Sequence, residues 1–203
     1  SDVDEHDDRG YRSRGELIPH SDPPTLIVLH CLRAAKHGGQ TSLVNVRAIH
    51  NRLAHEQPDL LQELYRGFHF WQVEGSYGIA HARPSAEARS IFAQRNGIIS
   101  CVIYRPFIHR AMQALGREMD RRQVAALDAF ESCASAPELA LRFYLQPGET
   151  LLLHNRTVLH ARTDYEDWPE PERRRHLLRV WIDAPELLPV SPQHELGDLF
   201  AAA

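Results

Sequence analysis

The chain has 203 residues, 43% of them hydrophobic and 25% charged, and these proportions are typical of one soluble globular domain with its own core. The formal net charge of −4 gives no indication of a nucleic acid or an anionic membrane as a partner. No apolar run approaches the roughly 20 residues that span a bilayer. Three widely separated cysteines, Cys31, Cys101 and Cys133, favour reduced thiols in a cytoplasmic protein over a disulfide framework.

The hydrophobic pattern over the first three quarters of the chain predicts short strands interrupted by helices. Residues 1–17 are polar and predict a loop, and residues 74–96 lack a clear period and predict a long loop. Apolar runs with strand character occupy residues 25–32, 42–44, 67–71, 97–104 and 139–145. Apolar residues at helical spacing predict helices from about residue 46, from Pro58, at about 106–116 and at 121–135.

The last quarter predicts two further strands, over residues 150–162 and 173–182, joined by a polar loop. The tail over residues 185–203 is predicted to lie on the surface or to be disordered. Many short strands with Gly and Pro turns, together with a helical insert, predict a mainly β (α+β) chain. The expected core is a double-stranded β-helix of the jelly-roll, cupin-like kind.

A candidate metal site is formed by three residues that are far apart in the sequence. His20 and Asp22 are two residues apart, so on an extended chain both side chains point to the same side. Together with His160 they supply two imidazoles and one carboxylate, a set that binds non-haem Fe(II) on one face and leaves positions open for substrates. The alternative is that the His-x-Asp pair occurs by chance and that Asp22 only caps a turn.

A run of arginines at the start of the last strand offers candidate anion ligands. On a strand, Arg175 and Arg179 share one face. If that face points into the barrel, both guanidiniums need anions, because an unpaired buried charge is strongly unfavourable. The carboxylates of a cosubstrate and a substrate would satisfy them. The alternative is a solvated surface run, which is the interpretation we favour for Arg173.

Four separated motifs carry a resemblance to a known family. They are His20-Ser-Asp22, Gly38-Gly-Gln-Thr41, Asn155-Arg-Thr-Val-Leu-His160-Ala-Arg162 and Arg174-Arg-His-Leu-Leu-Arg179. In this order they resemble the taurine dioxygenase/TfdA-type family of Fe(II)- and 2-oxoglutarate-dependent dioxygenases, over residues 10–184. The resemblance implies that His20, Asp22 and His160 bind iron.

The resemblance also implies cosubstrates, a reaction and further site residues. Thr41 would hydrogen-bond the distal carboxylate of 2-oxoglutarate, and Arg175 would form a salt bridge to it. Arg179 matches a position that often meets a substrate's acidic group, and a role as a barrel-wall arginine paired to a local carboxylate stays equally open. The implied reaction converts 2-oxoglutarate and O2 to succinate and CO2. It oxidises an unactivated C–H of a small acidic or amino-acid-like molecule, by hydroxylation first, with desaturation or ring formation as alternatives.

Three features depart from the family pattern. His154 stands where the family usually has Asn or Asp, and it is assigned no catalytic role. Asn45 replaces a frequent Asp, a change expected to affect only a turn or a helix cap. Only 19 residues precede His20, whereas family members carry a substantial segment there. We therefore expect a single dioxygenase domain over residues 1–203 that lacks the usual N-terminal segment.

Two other classes of protein remain to be weighed. A zinc hydrolase could use the same His/Asp/His set, but it would need a general base beside the metal-bound water, and the sequence has no His-Glu-x-x-His motif. A non-catalytic jelly-roll binding protein is the second alternative, which a degraded triad would favour. The identity of the small-molecule substrate is not readable from the sequence, and a homo-oligomer stays open.

Overall fold

The computed structural model describes residues 14–73, 81–184, 186–187 and 190–194. The strands are β1 (Leu17–His20), β2 (Leu26–Arg33), β3 (His37–Gly38), β4 (Thr41–Asn45), β5 (Trp71–Gln72), β6 (Arg83–Pro84), β7 (Phe92–Arg95), β8 (Ile98–Cys101), β9 (Ala140–Phe143), β10 (Thr150–His154), β11 (Val158–Arg162), β12 (Tyr165–Glu166) and β13 (His176–Ile182). The helices are α1 (Val46–Glu56), α2 (Pro58–Arg66), α3 (Arg105–Ala114) and α4 (Arg121–Ser135). Single 3-10 turns lie at Pro137–Leu139, Pro171–Arg173 and Pro192–His194.

Two antiparallel sheets form the framework. One has the strand order β1-β11-β4-β9, and the other has the order β10-β2-β13. The strands β10 and β11 follow each other in the chain but belong to different sheets, so the chain crosses from one sheet to the other at Asn155–Thr157. This arrangement, with helices inserted between strands, confirms the predicted mainly β chain with a jelly-roll core.

The largest apolar cluster lies between the four-stranded sheet and the helical insert. Val44 of β4 and Leu159 of β11 are fully buried against apolar residues from α1, α2, α4 and β8. The helices begin where capping chemistry predicts, since the Asn45 side chain accepts the backbone N–H of Arg47 at 2.9 Å and Asp120 forms a capping box with Gln123. The role of Asn45 as a helix cap is therefore confirmed.

Two of the predicted elements have different bounds in the structure. The polar N-terminal segment was predicted as loop to residue 17; residues 1–13 lie outside the described residues, and Leu17 begins β1. This strand escaped the sequence analysis because it contains Pro19, which a sheet tolerates only at an edge, and β1 is indeed an edge strand. The predicted strand over 67–71 is reduced to β5, with Phe68 forming only an isolated bridge to Arg89.

The prediction of a loop over residues 74–96 is wrong at its C-terminal end. Residues 74–80 lie outside the described residues, but β7 and β8 form a hairpin in which Phe92 pairs with Cys101. The connection is Asn96-Gly97, and both residues have positive φ angles, 50° and 78°. Asn-Gly is the preferred pair for a two-residue hairpin turn of this kind. The turn signal was present in the sequence, and it was missed because β7 is only four residues long.

The stretch over residues 150–162 is two strands, not the single strand that was predicted. β10 pairs with β2, and β11 pairs with β4 and β1. The apolar pattern continues on both sides of the break, so hydrophobicity alone does not mark it. The break falls at Asn155 and Arg156, both almost completely buried, whose side chains bind backbone groups of the loop after β1.

The tail prediction is wrong for three of the residues that the structure describes, whereas Glu186, Leu187, Pro192 and Gln193 are exposed as predicted. Val190, Ser191 and His194 are buried, with His194 only 1% exposed. The imidazole Nδ1 of His194 lies 2.8 Å from the Ser100 hydroxyl oxygen, and Nε2 lies 3.0 Å from the Ser90 carbonyl oxygen. The Nε2–H therefore donates to Ser90, and Nδ1 accepts from Ser100. Residues 195–203 lie outside the described residues.

The burial of His194 predicts that acid weakens the fold. Burial lowers the pKa of His194 to about 4, below the value of about 6.5 for an unfolded histidine. Between these values the unfolded chain binds more protons than the folded chain, so the free energy of unfolding falls as pH falls, by at most roughly 3 kcal/mol. We expect His194→Gln to remove this part of the pH dependence in urea unfolding between neutral pH and about pH 4. The exposed His55→Gln should retain it, and equal pH dependence in both variants would contradict the assignment.

Gly38 lies where the backbone of β3 approaches β12 most closely. Its φ is +71°, and a Cβ atom there would lie 2.3 Å from the Asp164 carbonyl oxygen. Gly116 has a similar φ of +62° but open space around it. We expect Gly116→Ala to cost about 1–2 kcal/mol of unfolding free energy from backbone strain, and Gly38→Ala to cost about 1–3 kcal/mol more from the clash. Chemical denaturation of both variants measures the difference, and equal losses would contradict the close approach.

The remaining global predictions concern thiols and membranes. Cys31, Cys101 and Cys133 are free thiols, as predicted, and all three are buried. Within the described ranges, no helix has both the length and the apolar character that crossing a bilayer requires.

Candidate metal centre

The fold brings the three predicted ligand residues together. His20 ends β1 and pairs with His160 of the neighbouring strand β11, so both imidazoles lie on the same side of the sheet. Asp22 follows two residues after His20. The ligand atoms of the three side chains lie within 4.8 Å of one another, with each histidine Nε2 3.9 Å from an Asp22 oxygen. Each of the three residues is less than 10% exposed.

The two imidazoles are oriented by different means. The Nδ1 atom of His20 lies 2.8 Å from the Ile18 carbonyl oxygen, so Nδ1–H donates there and Nε2 carries the free lone pair. His160 lies in the middle of β11, which is hydrogen-bonded to β1 on one side and to β4 on the other. Its Nδ1 atom has no hydrogen-bond partner among the residues that the structure describes. The sheet backbone is therefore what places His160.

The backbone around Asp22 is fixed by the turn between β10 and β11. The Asp22 N–H donates to the side-chain oxygen of Asn155 at 3.1 Å, and the Asn155 amide donates back to the Asp22 carbonyl. Arg156 donates to the same carbonyl at 2.7 Å and to the carbonyl of Pro23. Asn155 and Arg156 belong to one of the four sequence motifs, but no role was predicted for either residue. The one feature of the sequence that could have indicated a structural role is that these two polar residues interrupt an apolar run.

The Asp22 carboxylate is held by two donors from β13. Arg179 Nη1 lies 3.1 Å from Asp22 Oδ2, and the indole Nε1 of Trp181 lies 3.2 Å from the same oxygen. Arg179 and Trp181 are two residues apart on a strand and therefore share a face, as the alternation predicted. The intervening Val180 is 52% exposed on the opposite face. Trp181 was not identified as a site residue from the sequence.

The electrostatics of the cluster suit a divalent cation. Burial lowers the pKa of His160 to about 3, and the charges of His20 and Arg179 act in the same direction. Burial alone would raise the pKa of Asp22, but His160, His20, Arg179 and the Trp181 hydrogen bond together hold it below its usual value. Since a neutral His160 carries no charge at neutral pH, Arg179 is the constant cation beside Asp22. Neutral imidazoles and an ionised carboxylate are the forms that bind metal.

One cavity contains both residues that were predicted to bind 2-oxoglutarate, and none of the three candidate metal ligands lines it. Thr41 and Arg175 both line this cavity of about 330 Å³, together with the Ala34–Gly39 turn and part of β13. Thr41 pairs across the sheet with Arg162, two residues beyond His160. Burial lowers the pKa of Arg175, whose guanidinium carbon lies 5.1 Å from the ring centroid of Tyr165. A half-buried guanidinium that lines a cavity is suited to binding an anion.

Other candidate residues lie at different distances from the cluster. The Tyr104 ring centroid is 5.4 Å from that of His20, so Tyr104 borders the candidate metal centre. His154 is half-buried on β10, with Nδ1 3.3 Å from the Thr157 hydroxyl, and it is not part of the ligand cluster. Arg173 is exposed and stacks on Trp168, as expected for a surface residue.

Two buried imidazoles and one carboxylate inside a jelly-roll are the donor set of mononuclear non-haem iron oxygenases. The comparisons with known proteins agree with this class. The model of the family described as "Taurine catabolism dioxygenase TauD, TfdA family" matches residues 2–181, and the chain belongs to that family. A relative named FR-33289 synthase, from Streptomyces rubellomurinus (strain ATCC 31215), is 36% identical over 179 residues, which are 86% of this chain and 52% of the relative.

Solved structures share the fold. Asparagine oxygenase in complex with Fe(II), 2S,3S-3-hydroxyasparagine and succinate aligns with a TM-score of 0.64 at 19% identity, covering 85% of this chain and 51% of that one. The non-heme iron oxygenase OrfP in complex with Fe and alpha-ketoglutaric acid aligns with a TM-score of 0.58 at 16% identity, covering 84% and 50%. The chain spans about half the length of each of these proteins.

Proposed function

We propose that this chain carries the active site of an Fe(II)- and 2-oxoglutarate-dependent dioxygenase that hydroxylates an unactivated C–H of a small acidic or amino-acid-like molecule, with release of succinate and CO2. The observation that carries the proposal is the buried cluster of His20, Asp22 and His160 together with a cavity that contains Thr41 and Arg175. Neither the cluster nor the cavity is specific to this class of enzyme by itself. Together they supply a candidate metal site and a candidate anion site on the same pair of strands, because Thr41 of β4 pairs with a residue of β11 only two positions beyond His160.

Each residue has a role that follows from its surroundings. His20, Asp22 and His160 hold Fe(II) from one side, because their ligand atoms lie within 4.8 Å of one another and burial keeps the His160 imidazole neutral. Thr41 and Arg175 bind the distal carboxylate of 2-oxoglutarate in the cavity. When bound, the iron and 2-oxoglutarate together supply the oxidation of the C–H by O2. The chain orients these groups and limits the access of water through the burial of the site.

Two roles for Arg179 are compatible with the sequence, and they require the guanidinium to contact different carboxylates. In the structure its guanidinium donates to Asp22, which matches the pairing to a local carboxylate. The alternative is that it meets the acidic group of a substrate. Hydroxyasparagine in the asparagine oxygenase complex is an amino acid, which supports a small acid as the substrate class here. Titrating the metal-loaded protein with small acids in wild type and Arg179→Gln tests this role.

The decisive experiment is an anaerobic titration of the complete protein with Fe(II) and 2-oxoglutarate, read by the weak visible charge-transfer band of a chelated 2-keto acid. We expect a band that is lost in His160→Ala and weakened in Arg175→Ala, with exposed Arg173→Ala as the matched control. No band with zinc retained after purification would indicate a zinc hydrolase. No band and no bound metal would indicate a non-catalytic binding protein. A band would justify screening small acids for succinate release.

A further inference from the structure

The carboxylate of Asp22 is held asymmetrically. Both donors from β13 bind the same oxygen: Arg179 Nη1 lies 3.1 Å and Trp181 Nε1 lies 3.2 Å from Oδ2. The other oxygen, Oδ1, lies 3.9 Å from His20 Nε2, and Oδ2 itself lies 3.9 Å from His160 Nε2, so both oxygens border the ligand cluster but only Oδ2 is bound by Arg179 and Trp181. A carboxylate that accepts two hydrogen bonds through one oxygen cannot rotate freely about its Cβ–Cγ bond. The two oxygens of Asp22 are therefore not equivalent.

The two donors also support each other. The guanidinium carbon of Arg179 lies 4.7 Å from the centroid of the Trp181 ring, within the range of a cation–π contact. Trp181 is nevertheless 37% exposed, so its ring does not fill a tight core position. What distinguishes it is the direction of its indole N–H, which points inward to a buried carboxylate. Indole is a donor only, and it carries no charge that could be drawn to an acidic ligand.

We propose, on the basis of the proposed function, that Trp181 is a positioning residue that holds Oδ2 of Asp22 and thereby fixes the orientation in which this carboxylate meets the metal. Arg179 shares this task in the structure. If Arg179 turns toward the acidic group of a substrate, the neutral indole remains on Asp22 and keeps the ligand oriented. Residues that orient metal ligands in this way influence metal affinity strongly, although they never touch the ion.

The test is the affinity of the metal-free protein for Co(II) alone, measured by titration calorimetry. Trp181→Phe keeps an aromatic ring and removes the N–H, and we expect it to weaken Co(II) binding by about 10- to 100-fold. Trp168→Phe is the matched control, because Trp168 stacks on Arg173 away from the ligand cluster, and its affinity should equal that of the wild type. The melting temperature of the metal-free variants shows whether the fold is retained.

Each outcome separates this inference from the function on which it rests. Wild-type affinity in Trp181→Phe, or an equal loss in Trp168→Phe, would overturn the role of Trp181 while leaving the metal site intact. Absence of Co(II) binding in the wild type would overturn the metal site and this inference together. If Trp181→Phe does not fold, benzothienylalanine at position 181 removes only the N–H donor from a ring of the same shape, and the same loss of affinity is expected.

Discussion

The substitution Asp22→Asn is expected to weaken Co(II) binding by more than roughly 100-fold and to abolish succinate formation. Loss of a residue that only orients a metal ligand weakens binding by at most about 100-fold, and the loss of a ligand itself should exceed this. Asparagine is neutral, and its amide oxygen is a weaker ligand for a divalent cation than a carboxylate. The substitution also leaves the Arg179 guanidinium beside the metal without the negative charge that now balances it. Titration calorimetry of the metal-free protein measures the first effect, and succinate assays measure the second.

The choice of asparagine keeps this result interpretable. The amide has the shape of the carboxylate and can still accept hydrogen bonds from Arg179 and Trp181, so the loop after β1 should keep its position. Asp59→Asn, at an exposed site in the first turn of α2, is the matched control and should bind Co(II) as the wild type does. Unchanged affinity in Asp22→Asn would show that the cluster does not bind metal through this residue.

The ligand residues were predictable from the sequence because local periodicity determines their direction. The spacing of His20 and Asp22 places both side chains on one side of an extended chain, and alternation on β13 predicts which face carries Arg179. The structure confirms the alternation, since Val180 is exposed and Arg179 points to Asp22. The pairing of β1 with β11, which brings His160 to His20, has no local signature. The resemblance of the motifs supplied it instead.

The supporting residues could not be predicted because their partners are distant in the sequence. Asn155 and Arg156 contact a loop that lies more than 130 residues earlier in the chain. Trp181 contacts Asp22 across 159 positions. His194 was assigned to a surface tail because its neighbours include prolines and polar residues, yet its burial depends on Ser90 and Ser100. In each case the residue type is found both on protein surfaces and in buried sites, and only the contact with a distant residue determines which environment it has.

The substitution Arg175→Ala is expected to raise the KM for 2-oxoglutarate by at least about 30-fold, the effect of losing one buried charge-assisted pair. Co(II) affinity in the absence of 2-oxoglutarate should stay unchanged, because Arg175 lines the cavity and is not part of the ligand cluster. The metal-free protein should lose little stability, since burial of this guanidinium is itself unfavourable. Thermal unfolding with Co(II), with and without 2-oxoglutarate, gives a second readout, because a ligand stabilises only the form that binds it.

Two further variants show whether the effect arises from bidentate recognition of a carboxylate. Arg175→Lys keeps the positive charge but loses the planar fork of donors, so its KM for 2-oxoglutarate should fall between those of the wild type and Arg175→Ala. Arg173→Ala removes a neighbouring exposed arginine and should leave both KM and the thermal shift unchanged. An unchanged KM for 2-oxoglutarate in Arg175→Ala would show that the cavity is not the binding site of 2-oxoglutarate. Equal effects in Arg173→Ala and Arg175→Ala would indicate general electrostatic attraction, because only Arg175 lines the cavity and can form a directed pair there.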